Sequence, residues 1–151
     1  MKTKLQRSPL LFTVVSSALV VACAPAESPL TLYEFDCGVI RFESITMFGV
    51  GDDETDVRDM IVPCYVVEHP AGSLLWDGGL PSDIAEAGDW VESPPVLLRL
   101  DQTLADQLPS IGHAIDAFDY VAFSHMHFDH VGVSSEVQGA TLLIQQAEFD
   151  A

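Results

Sequence analysis

The sequence predicts an α/β scaffold, and three stretches carry that prediction. Residues 118–124, Phe-Asp-Tyr-Val-Ala-Phe-Ser, are rich enough in β-branched and aromatic side chains to read as a strand, and they end where a histidine-rich turn begins. Ala140-Thr141-Leu142-Leu143-Ile144 reads as the next buried strand, so the order is strand, loop, strand. Leu100, Leu104, Leu108 and Ile111 recur at spacings of four, four and three, the stripe of a core-facing helix with Gly112 as its stop and Pro109 blurring its end.

Upstream, strands are expected at about 31–42, 62–68 and 74–77, the last two joined by a hairpin turn at 69–73, and together they form an opening antiparallel sheet. Residues 43–61 and 80–99 read as long loops punctuated by Pro and Gly. No internal repeat is visible.

The turn itself is His125-Met126-His127-Phe128-Asp129-His130, three imidazoles and a carboxylate in six residues. In extended backbone, residues two apart project to the same side, so His125 and His127 can offer two ring nitrogens to one ion at roughly 2.0–2.1 Å, the distance zinc prefers. Asp129 and His130 then bring an oxygen and another imidazole toward a neighbouring position. In two-metal hydrolytic sites the ions stand about 3.5–4 Å apart, so a second ion fits the spacing. The competing reading is a chance His-rich tract that binds metal without catalysis.

HxHxDH after a hydrophobic strand resembles the signature of the metallo-β-lactamase superfamily, and Leu75-Trp76-Asp77-Gly78-Gly79 is similar to that superfamily's earlier strand-plus-Asp-Gly motif. Within it, 32–38, 62–68 and the 124–130 turn are similar to N-acyl-homoserine lactone lactonases, which are quorum-quenching enzymes. The resemblance spans residues 31–151 and implies the first half of an αββα sandwich. It implies that His125 and His127 bind a first zinc and Asp129 and His130 a second, two ions per full-length domain. Asp129 would lie beside the nucleophilic water, and Asp77 would be a supporting carboxylate that orients imidazoles rather than a ligand; as a plain turn residue before two glycines it has an equally good explanation. The implied reaction is opening of the lactone ring by a metal-bound hydroxide, on a small acyl lactone or ester. A thioesterase, β-lactamase or organophosphate hydrolase of the same superfamily would share every one of these ligands. In the family the long loops cover substrate, and here Met47, Phe48, Met60, Trp90 and Val91 could wall an acyl chain. One departure is visible: Val133 follows Gly132 where the family usually has a second glycine.

The family completes its site with a further histidine, a bridging aspartate and another histidine downstream of HxHxDH, so the 151 residues are expected to be the amino-terminal part of a longer domain, inactive alone or at most a truncated metal-binding lipoprotein. His69, in the turn before Pro70, and His113, after the helix, are not expected to replace those ligands.

The amino terminus reads as a leader. Lys2, Lys4 and Arg7 precede an apolar stretch of 13 residues from Leu10 to Ala22, and Val20-Val21-Ala22-Cys23 matches a bacterial lipobox. A membrane-spanning helix needs roughly 17–25 residues, so cleavage and lipidation at Cys23 are expected over a retained anchor. This divides the chain into a lipoprotein signal peptide (1–22), a tether (23–30) and the domain (31–151), and predicts an exported protein anchored to a membrane on the periplasmic or outer-membrane side. Three of the six basic residues precede Cys23 whereas all 23 acidic ones follow it, leaving a net charge of −20, which excludes nucleic acid as a partner. The acidic run Asp52-Asp53-Glu54-Thr55-Asp56 lacks the spacing of a calcium loop and reads as solvated surface. Cys37 and Cys64 fall in expected strands in an oxidising compartment, where a disulfide and two buried thiols are equally open.

Overall fold

The computed structural model describes residues 30–150; the leader, Cys23 and the tether up to Pro29 lie outside the described residues. Seven strands form one sheet: β1 (Thr31–Phe42), β2 (Asp59–His69), β3 (Gly72–Trp76), β4 (Val91–Ser93), β5 (Val96–Arg99), β6 (Tyr120–Ala122) and β7 (Thr141–Leu143), in the spatial order β4-β5-β1-β2-β3-β6-β7. The first five pair antiparallel, and β6 and β7 add in parallel to β3. Two short helices, α1 (Leu104–Gln107) and α2 (Gln146–Phe149), complete it, with single 3-10 turns at Thr46–Phe48, Ser82–Ala87 and Leu108–Ile111. Among the described residues no helix is long and apolar enough to cross a membrane.

β1 and β2 hold the register of the sheet. Their ladder slips between Asp36 and Val39, a β-bulge centred on Gly38, whose φ of 128° suits a residue without a side chain. Pro63, which cannot donate to a ladder, stands opposite Asp36 where that slip begins. Only beyond the bulge, from Val39 to Phe42, does β1 also pair with β5.

The expected loop at 80–99 is corrected. It contains the 3-10 turn at Ser82–Ala87 and the β4–β5 hairpin, whose strands of three and four residues are too short for alternation to show and are interrupted by Pro94-Pro95. The loop at 43–61 is shorter than expected because β2 begins at Asp59. The helix starts at Leu104, not Leu100: Thr103 caps it, accepting from the Asp106 amide at 3.1 Å while donating to the Asp106 carboxylate at 2.7 Å. Gly112 ends the following 3-10 turn in the left-handed conformation.

One face of the sheet is covered. Val66, Leu75 and Val121 pack with Leu104, Leu108, Phe118 and Val133 into the main core, and Ile40, Val62, Leu80 and Leu98 form a second cluster beyond the bulge. The opposite face leaves Leu32, Trp76, Tyr120 and Leu143 exposed. One sheet with α1 and the Leu108–Ile111 turn packed on one face is half of the four-layered sandwich the resemblance implies.

The sulfurs of Cys37 and Cys64 are bonded, linking β1 to β2 with Cα atoms 5.8 Å apart, and both residues are buried. Gly79 lies directly on them: a Cβ there would collide with the Cys37 Cβ and stand 2.8 Å from the Cys37 carbonyl oxygen. Gly88 has nearly the same φ, 64° against 65°, but nothing within 4 Å of its would-be Cβ. Gly88→Ala should therefore cost only the left-handed backbone penalty, about 1–2 kcal/mol, whereas Gly79→Ala should cost several kcal/mol more or prevent folding. Denaturant midpoints of the two variants check this, and equal losses would show that Gly79 has no close packing to lose.

Candidate metal centre

β3 and β6 are parallel with Trp76 paired to Ala122, so the segments leaving them emerge at the same edge of the sheet. Asp77 leaves β3 and Ser124-His125 leaves β6. The Asp77 amide donates to the Ala122 carbonyl at 2.9 Å, and its φ of 60° turns the chain back sharply. Asp tolerates that conformation better than most residues. The turn drives the Asp77 side chain inward, where it is 9% exposed and its carboxylate is bonded on both oxygens: Oδ1 accepts the Ser124 amide at 2.7 Å and Oδ2 stands 3.0 Å from His130 Nδ1. Asp77 thus makes the turn and holds its carboxylate against both the Ser124 amide and the His130 ring.

Two loops cross at this edge. The Gly78 amide donates to the His130 carbonyl at 2.6 Å, and the Gly132 amide donates to the Gly79 carbonyl at 3.0 Å. The ligand turn closes on itself as the His130 and Val131 amides donate to the His127 carbonyl at 3.0 and 3.3 Å. Only glycine fits at the crossing. A Cβ on Gly132 would collide with the Leu80 carbonyl carbon, and one on Gly78 would stand 2.7 Å from Val133 Cγ2. Val133, the departure from the family pattern, is 1% exposed and fills the space that Gly78 leaves open.

This crossing gathers the imidazoles. The ring of His125 lies 4.4 Å from that of His127 and 4.0 Å from that of His130, centroid to centroid. Ser124 Oγ stands between two of them, 3.2 Å from His125 Nδ1 and 3.1 Å from His130 Nδ1. With its Nδ1 turned to Asp77, His130 is left to use Nε2, which faces Asp129 Oδ2 at 3.5 Å. Two ligand atoms on one tetrahedral zinc stand ~3.3 Å apart, so the Asp129–His130 pair is spaced to share an ion. His125 and His127, with ring centroids 4.4 Å apart, offer borderline nitrogen donors of the kind zinc prefers. Among the described residues no three His, Cys, Asp or Glu side chains come together as ligands of one ion. The donor types therefore suit zinc, and the Asp129–His130 spacing fits two ligands of one ion.

A cleft of about 510 Å³ opens beside His127, Phe128 and Asp129. Its apolar wall includes Ile40, Phe42, Met47, Phe48, Met60 and Val62. Trp90 and Val91, expected in that wall, are elsewhere. Trp90 stacks under the guanidiniums of Arg41 and Arg99, 4.1 and 5.0 Å from its ring centre, because cations prefer its electron-rich face to open solvent. Val91 is held in the β4–β5 ladder opposite Leu98, and the hairpin tip Ser93-Pro94-Pro95 reaches the cleft instead. The loop bearing Met47 and Phe48 is tied by Asp52, whose carboxylate accepts the Ile45 amide at 3.0 Å. That bond, then the Ser44 hydroxyl, holds the Asp52 pKa below the ordinary carboxylate value. A depressed carboxylate stabilises the fold above its unfolded pKa and loses that contribution as pH falls through the folded one, so this tie weakens only in acid.

His69 and His113 stay out of the site. His69 Nδ1 accepts the Ala71 amide at 3.0 Å within the β2–β3 turn. His113 pairs with Glu68 and stacks on Phe118 at the far end of the sheet, where Glu68 lies opposite Ser73 at the start of β3. Two site residues have no signal in the sequence: Gln145 Nε2 donates to the Ser124 carbonyl at 3.2 Å, and Glu148 Oε2 accepts the Met126 amide at 3.1 Å. They reach the ligand turn because β7 adds beside β6.

A family model described as the Metallo-beta-lactamase superfamily matches residues 57–141, which include both crossing loops. The chain is 33% identical over 94 residues to N-acyl homoserine lactonase AttM of Agrobacterium fabrum, covering 59% of this chain and 36% of AttM. A solved structure of B. thuringiensis AiiA with N-decanoyl-L-homoserine bound at its active site is similar with a TM-score of 0.62 at 24% identity, over 80% of this chain and 50% of that one. AidC, a dizinc quorum-quenching lactonase solved in complex with a product, is similar with a TM-score of 0.56 at 19% identity, over 83% of this chain and 45% of its own. At those identities the structures speak for the fold. The chain thus spans about half the length of these structures and a smaller share of AttM, and over that span the matching model, the shared sheet and the two crossing motifs agree: the chain belongs to the metallo-beta-lactamase superfamily.

Proposed function

We propose that the chain supplies His125 and His127 to one zinc ion and Asp129 and His130 to a second, in a hydrolase that opens the ring of N-acyl-homoserine lactones. The observation that supports this is the juxtaposition of the imidazole cluster with a largely apolar cleft whose ionisable lining groups, among the described residues, are His127 and Asp129 of the histidine turn itself. Such a cleft suits a neutral substrate with an apolar tail, and the relatives named above are lactonases. For location the reading rests on the leader and Cys23, and the Cys37–Cys64 bond supports export, since disulfides persist in oxidising compartments.

When bound, zinc would polarise the acyl carbonyl and lower the pKa of water. The chain's own residues do the rest. Asp77 and Ser124 fix the rings of His130 and His125, and the cleft receives the acyl tail and excludes water from it. Hydrolysis forms one carbon–oxygen bond from water to the acyl carbon and breaks the bond to the ring oxygen. Asp129 would take the water proton and deliver it to that oxygen, leaving a hydroxy acid.

Zinc-loaded full-length protein should release a proton per N-acyl-homoserine lactone opened and stop when zinc is chelated. Cleavage of a thioester, β-lactam or phosphotriester with no lactone opening would overturn the substrate assignment, and tight zinc binding without any turnover would make the protein a metal-binding lipoprotein instead. A second outcome concerns Asp77. Asp77→Asn keeps the oxygen that accepts from Ser124 but turns an amide NH₂ toward His130 Nδ1, favouring the tautomer whose Nε2 carries the proton. Zinc affinity, measured by chelator competition, should fall roughly 10–100-fold with little change in melting temperature. Unchanged affinity would leave Asp77 a turn residue only.

A further inference from the structure

The disulfide lies under the metal-ligand clamp. Cys37 falls inside the β1 bulge, where the ladder to β2 is interrupted between Asp36 and Val39, and the sulfur bond ties it to Cys64, which stands opposite Phe35 in the ladder beside that gap. Gly79 sits on that bond: besides the Cys37 contacts, its would-be Cβ stands 3.2 Å from Cys64 Sγ, and the neighbouring Leu80 amide donates to the Cys37 carbonyl at 3.0 Å. Two residues back, Asp77 holds His130 Nδ1 at 3.0 Å.

We propose that the Cys37–Cys64 disulfide positions His130 for metal binding, by setting the height of the Asp77-Gly78-Gly79 turn. The crosslink holds the β1 bulge to β2 at the gap in their ladder, and reduction of the bond or replacement of both cysteines removes that tie. Both cysteines are fully enclosed, in an interior that is close-packed. The backbone above them at Gly79 packs on both cysteines with no side chain between, so movement of the bulge is passed to the turn that carries Asp77 and its bond to His130. His130 then loses the partner that keeps the proton on Nδ1 and Nε2 free. The inference rests on the metal reading above for its consequence, but the positioning itself does not need a metal.

The test therefore uses two readouts on the full-length protein. In the metal-free oxidised protein, ring ¹⁵N shifts should show His130 as the Nδ1–H tautomer. Reduction with a water-soluble phosphine, which takes oxygen from water and leaves two thiols and a phosphine oxide, should shift His130 toward the Nε2–H form while the far-ultraviolet circular dichroism stays native. In the Cys37→Ala/Cys64→Ala double variant, which has no thiols here to bind metal, cobalt(II) affinity should drop by 10-fold or more. Identical His130 shifts before and after reduction would overturn the proposal, as would full cobalt affinity in the folded double variant. If the double variant does not fold, the reduced wild-type comparison decides alone. If the oxidised protein binds no cobalt, the metal reading fails, and the tautomer comparison still decides the positioning.

Discussion

The site depends on the crossing of two backbone segments, where Gly78 donates to His130 and Gly132 donates to Gly79. These two bonds run in opposite directions between loops that leave parallel strands, so neither loop can slide without breaking one of them. The crossing is tight enough that side chains are excluded at Gly78, Gly79 and Gly132. Close approach brings the Asp77 carboxylate within hydrogen-bond distance of both the ligand-turn backbone and one of its rings. A buried carboxylate is costly unless bonded on both oxygens, and both are bonded here.

The crossing also explains why the histidines belong to a turn rather than to strands. β6 ends at Ala122, and its core face is completed by Phe123, which anchors the chain just before the histidines. From there the backbone is free to curl, and three rings collect on one side while Phe128 and Met126 face outward. The rigid sheet edge sets the position and the turn sets the direction, the arrangement that metal sites use to limit reorganisation on binding. The adjacent cleft is softer, with one wall from the Met47-Phe48 turn and another from the Pro94-Pro95 tip.

Much of this is legible in the chain. β1, the β2–β3 hairpin and the stretch around β6 announce themselves through alternation and β-branched runs, and the histidine turn carries its chemistry in its spacing. Three features are not legible, each for a physical reason. The β4–β5 hairpin has too few residues for a period. The start of α1 was masked because Leu100 continues the spacing of Leu104 and Leu108 into the same core while belonging to the segment after β5. The partners of the ligand turn, Gln145 and Glu148, depend on a parallel strand pairing that no local pattern encodes. Asp77 stands between these cases: its residue type and two following glycines mark a turn, and only the register of Trp76 with Ala122 shows what the turn faces.

If the crossing is a rigid part of the fold and not a contact made only when metal arrives, its two amides should be as protected as the central strands. Native-state hydrogen exchange on the metal-free protein reads this directly. The Gly78 and Gly132 amides should exchange only through global opening, at the same free energy as the Val66 amide in β2. Fast exchange of Gly78 and Gly132 by local opening, with Val66 still protected, would contradict a preformed site.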